Sequence, residues 1–208
     1  MGEQEPVTCF VVDDDASVRQ SLSFLIRSLG YRVETFDCAD ALLARRPFEG
    51  IGCIITDVKM PTMSGLDLQD VLNRGDTALP IIFITGHGDL PMGVGAMKKG
   101  AVDFLAKPFD DEELITAVSH ALEKCRQVRQ NSEALADAQC RIEKLTPREH
   151  DVLRHVISGR LNKQIAYDLG IAEQTVKIHR GRIMKKLAVA SLADLLRLAE
   201  KAGIAAAP

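Results

Sequence analysis

With 208 residues, 46% of them hydrophobic, the chain is long enough for two domains with cores of their own. No stretch reaches the ~18 consecutive apolar residues of a membrane span, and the start "MGEQEPVT" lacks the basic-then-apolar order of a secretion signal, so a cytoplasmic protein with no membrane partner is expected. The formal net charge of −3 conceals an acidic front, net −9 over residues 1–122, and a basic end, net +5 over residues 146–208, which points to two modules with different partners.

From the N-terminus, short apolar runs alternate with amphipathic stretches. "CFVV", "YRVETF", "CIIT", "IIFIT" and "DFLA" are predicted strands. In "SVRQSLSFLIRSLG", Val18, Leu22, Leu25, Ile26 and Leu29 share one helical face, and Gly30 supplies the stop. Further helices are predicted over about 38–46, 65–74, 90–99 and from 111 onward. Strands alternating with helices in this way imply an α/β fold, a doubly wound five-stranded parallel sheet covered on both faces. A site in such a sheet lies at the carboxyl ends of the strands.

From Asp111 to about Leu145 the helical pattern runs without Pro or Gly. A seven-residue repeat gives one apolar lane, Ala121, Val128, Leu135 and Ile142. The second lane, Val118, Cys125, Ser132 and Gln139, fades to polar. The segment reads as a helical connector, either solvated or paired as a coiled coil. "TPRE" at Thr146–Glu149 is a capping box with Pro at the first helical position. "SGRLNKQIAYDLGIAEQTVKIHRGRIMKKL" reads as helix, tight turn at Gly170, helix, and "SLAD" caps a last short helix. The closing "AGIAAAP" is expected to fray. The cysteines are odd in number and form no CxxC. Cys9 and Cys53 fall in strand runs and read as small core hydrophobes, which suits a reducing compartment and argues against structural zinc.

Asp13, Asp14 and Asp15 follow the first strand, and Asp57 ends the third. Central parallel strands bring these carboxylates to one edge, where two at ~5 Å repel by roughly 3 kcal/mol at an effective dielectric near 20. A hard divalent ion and Lys107, which ends the fifth strand, would offset that. The set suits phosphoryl transfer. Asp57, alone on its strand end, is the candidate nucleophile, and Thr85 offers a hydroxyl to a phosphoryl oxygen. The competing structural reading is that "DDD" caps a helix and Lys107 is a surface charge. His87, in "TGHGD", is a candidate for positioning water or a solvated loop residue. A metal-ligand role for it does not suit Mg²⁺.

"VVDDD", "DVKMPTMSG", "FITGHGD" and "AVDFLAKPF" resemble the receiver signatures of two-component response regulators over about residues 5–120. The resemblance implies Asp57 as phosphoacceptor and Mg²⁺ (or Mn²⁺) as cofactor. Asp14 would bind the metal directly, Asp13 largely through water, and Lys59 through its carbonyl. It also implies a cis Lys107–Pro108 bond, a switching pair in Thr85 and Phe104, and a sensor histidine kinase as partner. For Phe104 the plainer alternative is ordinary core packing, against which position and resemblance favour the switch.

In the basic end, Ile165, Ala166, Leu169, Ile171, Val176, Ile183 and Leu187 can face a small core. The opposite stripe of the second helix holds Gln174, Lys177, Ile178, Gly181 and Lys185, flanked by Arg180, Arg182 and Lys186. Amide, cation and one aliphatic group suit the major groove, and the flanking cations suit phosphates. A solvated basic helix is the plainer alternative. "LTPREHDVL", "NKQIAYDLGIAEQTVKIHR" and "IMKKL" are similar to the four-helix DNA-binding domain of the LuxR/FixJ class.

The sequence therefore reads as a FixJ-type response regulator: a flavodoxin-like receiver over 5–122, a helical linker over 123–142, and an all-α four-helix helix-turn-helix domain over 143–204. The expected function is transcriptional regulation on double-stranded promoter DNA, with homodimerisation on phosphorylation and the transcription machinery as a further partner. No turnover enzyme is expected beyond Mg²⁺-dependent self-phosphorylation and self-dephosphorylation. The rivals are a Mg²⁺-dependent aspartyl phosphatase, whose DxDx[TV] pattern "DDDAS" lacks, and a pure protein-interaction module.

Overall fold

The computed structural model describes residues 7–75, 79–86 and 90–207, the side chains of Leu90 and Pro91 excepted. The chain divides into two compact units, Met1–Arg129 and Gln130–Pro208.

In the first unit, strands β1 (Thr8–Val12), β2 (Arg32–Phe36), β3 (Gly52–Asp57), β4 (Ile81–Thr85) and β5 (Asp103–Ala106) alternate with helices. These are α1 (Ala16–Ser28), α2 (Ala39–Ala44), α3 (Gly65–Asn73), α4 (Leu90–Lys98) and α5 (Asp111–Ile142), whose residues from Gln130 on belong to the second unit. The sheet is parallel throughout, in the order β2-β1-β3-β4-β5. β1, β3 and β4 read as unbroken apolar runs because both of their faces are covered. Alternation along the strands sends Cys9, Val11, Cys53, Ile55, Ile82 and Ile84 to one side, against Leu22 and Ile26 of α1 and Leu114 to Ala121 of α5. Phe10, Val12, Ile54, Ile81 and Phe83 go to the other, against Leu42 of α2, Leu68 and Leu72 of α3 and Ala96 of α4. Each fully buried Leu or Ile contributes roughly 1.5–3 kcal/mol. Cys9 and Cys53 are register partners with Sγ atoms 3.7 Å apart. The contact with Cys9, with burial second, raises the Cys53 thiol well above its ordinary range.

Asp15 caps α1, accepting from the Ser17 and Val18 amides. The helix ends at Ser28, so Leu29, expected on the inner face, is a cap residue left 37% exposed. Along α5, Val118, Ala121 and Cys125 are buried, Val128 and Leu135 are exposed, and Ala138 and Ile142 are buried again. Neither heptad lane is therefore a continuous buried stripe.

The second unit continues with α6 (Pro147–Ile157), α7 (Asn162–Leu169), α8 (Glu173–Lys186) and α9 (Leu192–Lys201). Thr146 and Glu149 form the expected capping box at α6, and Ser191 and Asp194 form one at α9. Gly170 ends α7 at φ 64°, a left-handed turn that glycine adopts without a Cβ penalty. Val152, Leu153, Val156, Ile165, Val176, Ile183, Leu187 and Leu195 make the core. The tail does not fray as expected. Ile204 packs on this core, the Ala207 amide donates to the Arg154 carbonyl at 3.0 Å, and Arg154 Nε donates to the Ala205 carbonyl at 3.2 Å. Among the described residues no helix is long and apolar enough to cross a membrane.

Candidate functional site

The parallel register sets the ends of β1 and β3 side by side, with Val12 opposite Thr56, so the chain delivers Asp13 and Asp57 together. Lys107, directly after β5, reaches both. Its Nζ donates to Asp13 Oδ2 at 3.1 Å and to Asp57 Oδ1 at 3.2 Å. Asp13 is 2% exposed. Burial is the chief influence on its carboxyl and raises it, against the lowering pull of the Asp15 amide and Lys107. Burial lowers Lys107, but the two carboxylates outweigh it and leave the ammonium more basic than usual. The free oxygens of the pair are also engaged. The Asp15 amide donates to Asp13 Oδ1 at 2.8 Å, and the Lys59 amide donates to Asp57 Oδ2 at 2.6 Å.

The loop after Asp57 is shaped to hold it. Val58 and Met60 are buried, and Thr62 takes a left-handed φ of 67°, a conformation that costs a non-glycine residue of order 1 kcal/mol. α3 starts so close to β3 that a Cβ on Gly65 would stand 2.3 Å from the Asp57 carbonyl oxygen. Arg19, which the sequence reading passed over, donates from Nη1 to the Asp13 carbonyl at 2.6 Å and fixes the turn into α1.

Asp14, expected to bind the metal directly, follows Asp13 and is exposed, which leaves its oxygens open to an ion, while Lys107 pairs with Asp13 and Asp57. Among the described residues no three His, Cys, Asp or Glu side chains converge as a metal cluster. The donors on offer are carboxylate and backbone oxygens, and Mg²⁺ takes one or two carboxylates and keeps several waters. The residues therefore fit such an ion.

Thr85 is buried and pairs in register with Ala106, and the Lys107 amide donates to the Thr85 carbonyl at 2.7 Å. Phe104 is half-buried. Its ring lies 6.2 Å from that of Phe83 and rests on α4, where a Cβ on Gly93 would meet it at 3.2 Å. The Lys107–Pro108 bond is cis. His87 lies outside the described residues.

On α8, Gln174, Lys177, Ile178, Gly181, Arg182 and Lys185 are exposed on one side, Ile178 to 46%. Lys177 stands 3.4 Å from Glu173 in an exposed pair of little strength. Two further expected DNA-contacting cations also have protein partners. Arg180 donates to Asn162 Oδ1 at 2.8 Å. Lys186 donates to Glu149 Oε2 at 2.6 Å and to the Lys144 carbonyl at 3.2 Å. Burial raises the Glu149 carboxyl, but Lys186 and Thr146 outweigh it and bring its pKa down to about 2.

The comparisons with known proteins agree with this division of labour. The response regulator receiver domain matches residues 9–119, and the luxR family of bacterial regulatory proteins matches residues 143–199. Nodulation protein W of Bradyrhizobium diazoefficiens is 50% identical over 197 residues, 95% of this chain and 87% of its own. The transcriptional regulatory protein FixJ of Azorhizobium caulinodans is 45% identical over 208 residues, 100% of this chain and 97% of its own. The solved structure of the response regulator StyR superposes with a TM-score of 0.84 at 50% identity, covering 94% of this chain and 99% of that one. The chain belongs to the transcriptional response regulators that join a receiver domain to a LuxR-family DNA-binding domain.

Proposed function

We propose that this regulator is switched by phosphoryl transfer from a sensor histidine kinase to Asp57. The observation that carries the reading is the single ammonium of Lys107 within 3.2 Å of both Asp13 and Asp57. A carboxylate oxygen of Asp57 attacks phosphorus, an O–P bond forms, and the bond to the donor's nitrogen breaks. Lys107 neutralises charge on the transferred group, and the buried Asp13 holds Lys107 in position. Asp14, Asp57 and the Lys59 carbonyl would hold Mg²⁺ or Mn²⁺ directly, with Asp13 acting largely through water. When bound, the ion supplies further positive charge to the phosphoryl oxygens. The same pocket would run self-phosphorylation from small donors and slow self-dephosphorylation.

A groove of about 800 Å³ whose lining includes Phe24, Leu25, Lys107, Pro108 and Phe109 favours this face for the kinase. Phe24 is 80% exposed on α1, an aromatic ring available to a partner whose phosphohistidine must reach Asp57.

Phosphorylation draws Thr85 toward the phosphoryl group and Phe104 follows, changing the surface of α4 and β5. That surface holds an apolar depression of about 750 Å³ lined by Val94, Met97 and Phe104, with Lys98 and Asp103 also on its wall. Opposite charges on one self-facing patch suit a second copy across a two-fold axis. The dimer then sets two α8 helices on a two-fold promoter site, and its bound form meets the transcription machinery. Gln174, Lys177, Ile178 and Gly181 face the bases, while Arg182 and Lys185 contact phosphates. Arg180 and Lys186 act chiefly through Asn162 and Glu149.

Incubating the chain with a labelled small phosphodonor and Mg²⁺ tests the central step. Label that survives alkaline hydroxylamine, or that persists in Asp57→Asn, overturns it.

A further inference from the structure

α4 is held very differently at its two ends. At and just past its C-terminal end, three polar side chains of α3 grip it. Gln69 Nε2 donates to the Ala96 carbonyl at 3.2 Å, Asn73 Nδ2 donates to the Lys99 carbonyl at 3.0 Å, and Lys99 Nζ donates to both Asp70 oxygens at 2.7 and 2.8 Å. Ahead of that grip the helix carries Gly93 and Gly95, each a weaker helix former than alanine. Gly93 supports the Phe104 ring, and Val94 beside it is 51% exposed.

The three ties are not equivalent. Asp70–Lys99 is an exposed ion pair and contributes little. Asn73 is exposed as well. Gln69 is 1% exposed, on the same face of α3 as Leu68 and Leu72. A buried amide in a helix–helix seam is costly unless it is satisfied, and among the described residues Gln69 Oε1 has no partner. Hydrophobic residues of similar volume would pack there at no such cost. The Gln69 bond holds the α4 backbone at Ala96 from inside the buried seam, next to Gly95, and the two exposed ties to Lys99 lie beyond it. That sets a fixed point directly behind the glycine-bearing turn.

We propose that Gln69 is a positioning residue of the switch: its buried amide pins α4 at Ala96, so that activation reshapes the glycine-bearing turn at Gly93 and Gly95 under Phe104 while the Ala96–Gly100 end stays put. The proposal rests on phosphorylation at Asp57 as the trigger. It puts the sequence-dependent control of α4 in α3, outside the phosphoacceptor pocket and outside the Thr85–Phe104 pair.

The test uses the full chain with and without beryllofluoride and Mg²⁺, followed by hydrogen exchange and by sizing. In the wild type, activation should change exchange at Met92–Gly95 at least about fivefold and leave Ala96–Ala101 unchanged. In Gln69→Leu, the rate of acyl-phosphate formation at Asp57 should stay within about twofold of wild type. The activation-dependent change should now spread into Ala96–Ala101, and self-association should weaken about tenfold. Asp70→Asn, which breaks only the exposed pair, should behave as wild type. A Gln69→Leu protein that keeps the wild-type exchange pattern and assembly overturns the proposal, as does wild-type exchange that changes equally along all of α4. Failure of wild-type protein to respond to beryllofluoride at all overturns the Asp57 reading instead.

Discussion

The Lys186 ammonium lies 2.6 Å from the Glu149 carboxylate, joining the last turn of α8 to the first turn of α6. Glu149 is 2% exposed and also closes the capping box on Thr146. A cation that charge patterning assigns to DNA is thus part of what fixes the angle between two helices. Lys186→Ala should destabilise the C-terminal unit by about 2 kcal/mol, the scale of a lost charged hydrogen bond, while barely changing the salt dependence of DNA binding. Thermal melts and salt titrations of the same variant separate the two effects.

The same pair predicts a pH dependence. Glu149 titrates at about 2 in the fold against 4.5 ordinarily, so its contribution is complete above about pH 4.5 and is lost as pH falls toward 2. The wild-type C-terminal unit should lose melting temperature across that window. Glu149→Gln should start lower and lose less; a parallel decline in both would refute the linkage.

For the DNA face, Lys185→Ala should weaken binding for all sequences and lower the slope of log K against log salt by about 1. Ile178→Ala should instead relax sequence preference with an unchanged slope. Replacing half-site thymines by deoxyuridine, which removes only the methyl group, should cost the wild type a few-fold at one position and the variant nothing.

At the phosphoacceptor end, Lys107→Ala should slow acyl-phosphate formation about 100-fold, the usual scale for losing a preorganised charge-stabilising group. Single-turnover labelling at saturating Mg²⁺ measures it.

Gly65→Ala forces a Cβ into the Asp57 carbonyl oxygen, 2.3 Å away. The backbone of β3 or α3 must shift, costing about 1–3 kcal/mol. Urea denaturation should register that loss, and phosphoryl uptake should fall with it. A variant with wild-type stability and uptake would mean that the loop accommodates the methyl freely.

The receiver fold was legible because its strands are apolar runs bounded by turns, and the site because strand ends collect what they carry. Pattern alone cannot show tertiary partners. Lys186 and Arg180 look like free cations until Glu149 and Asn162, 37 and 18 residues away in sequence, are brought to them. Asp13 and Asp14 are indistinguishable as letters, yet the first is buried on Lys107 and the second is exposed. The tail looks featureless, but Ile204 completes a core and Ala207 pins to Arg154. Gln69 did leave a signal, a polar residue one turn after Gly65 and beside Leu68 on the buried face of α3.

The chemistry of the cysteines has a practical consequence. Cys9 and Cys53 are sealed in the sheet and Cys125 is buried on α5, whereas Cys140 is exposed and Cys38 partly so. A maleimide dye at neutral pH should therefore modify Cys140 first and Cys38 second, leaving the sheet thiols untouched. Replacing Cys38 by Ser would give a singly labelled regulator, ready for fluorescence anisotropy on promoter DNA without dismantling its interior.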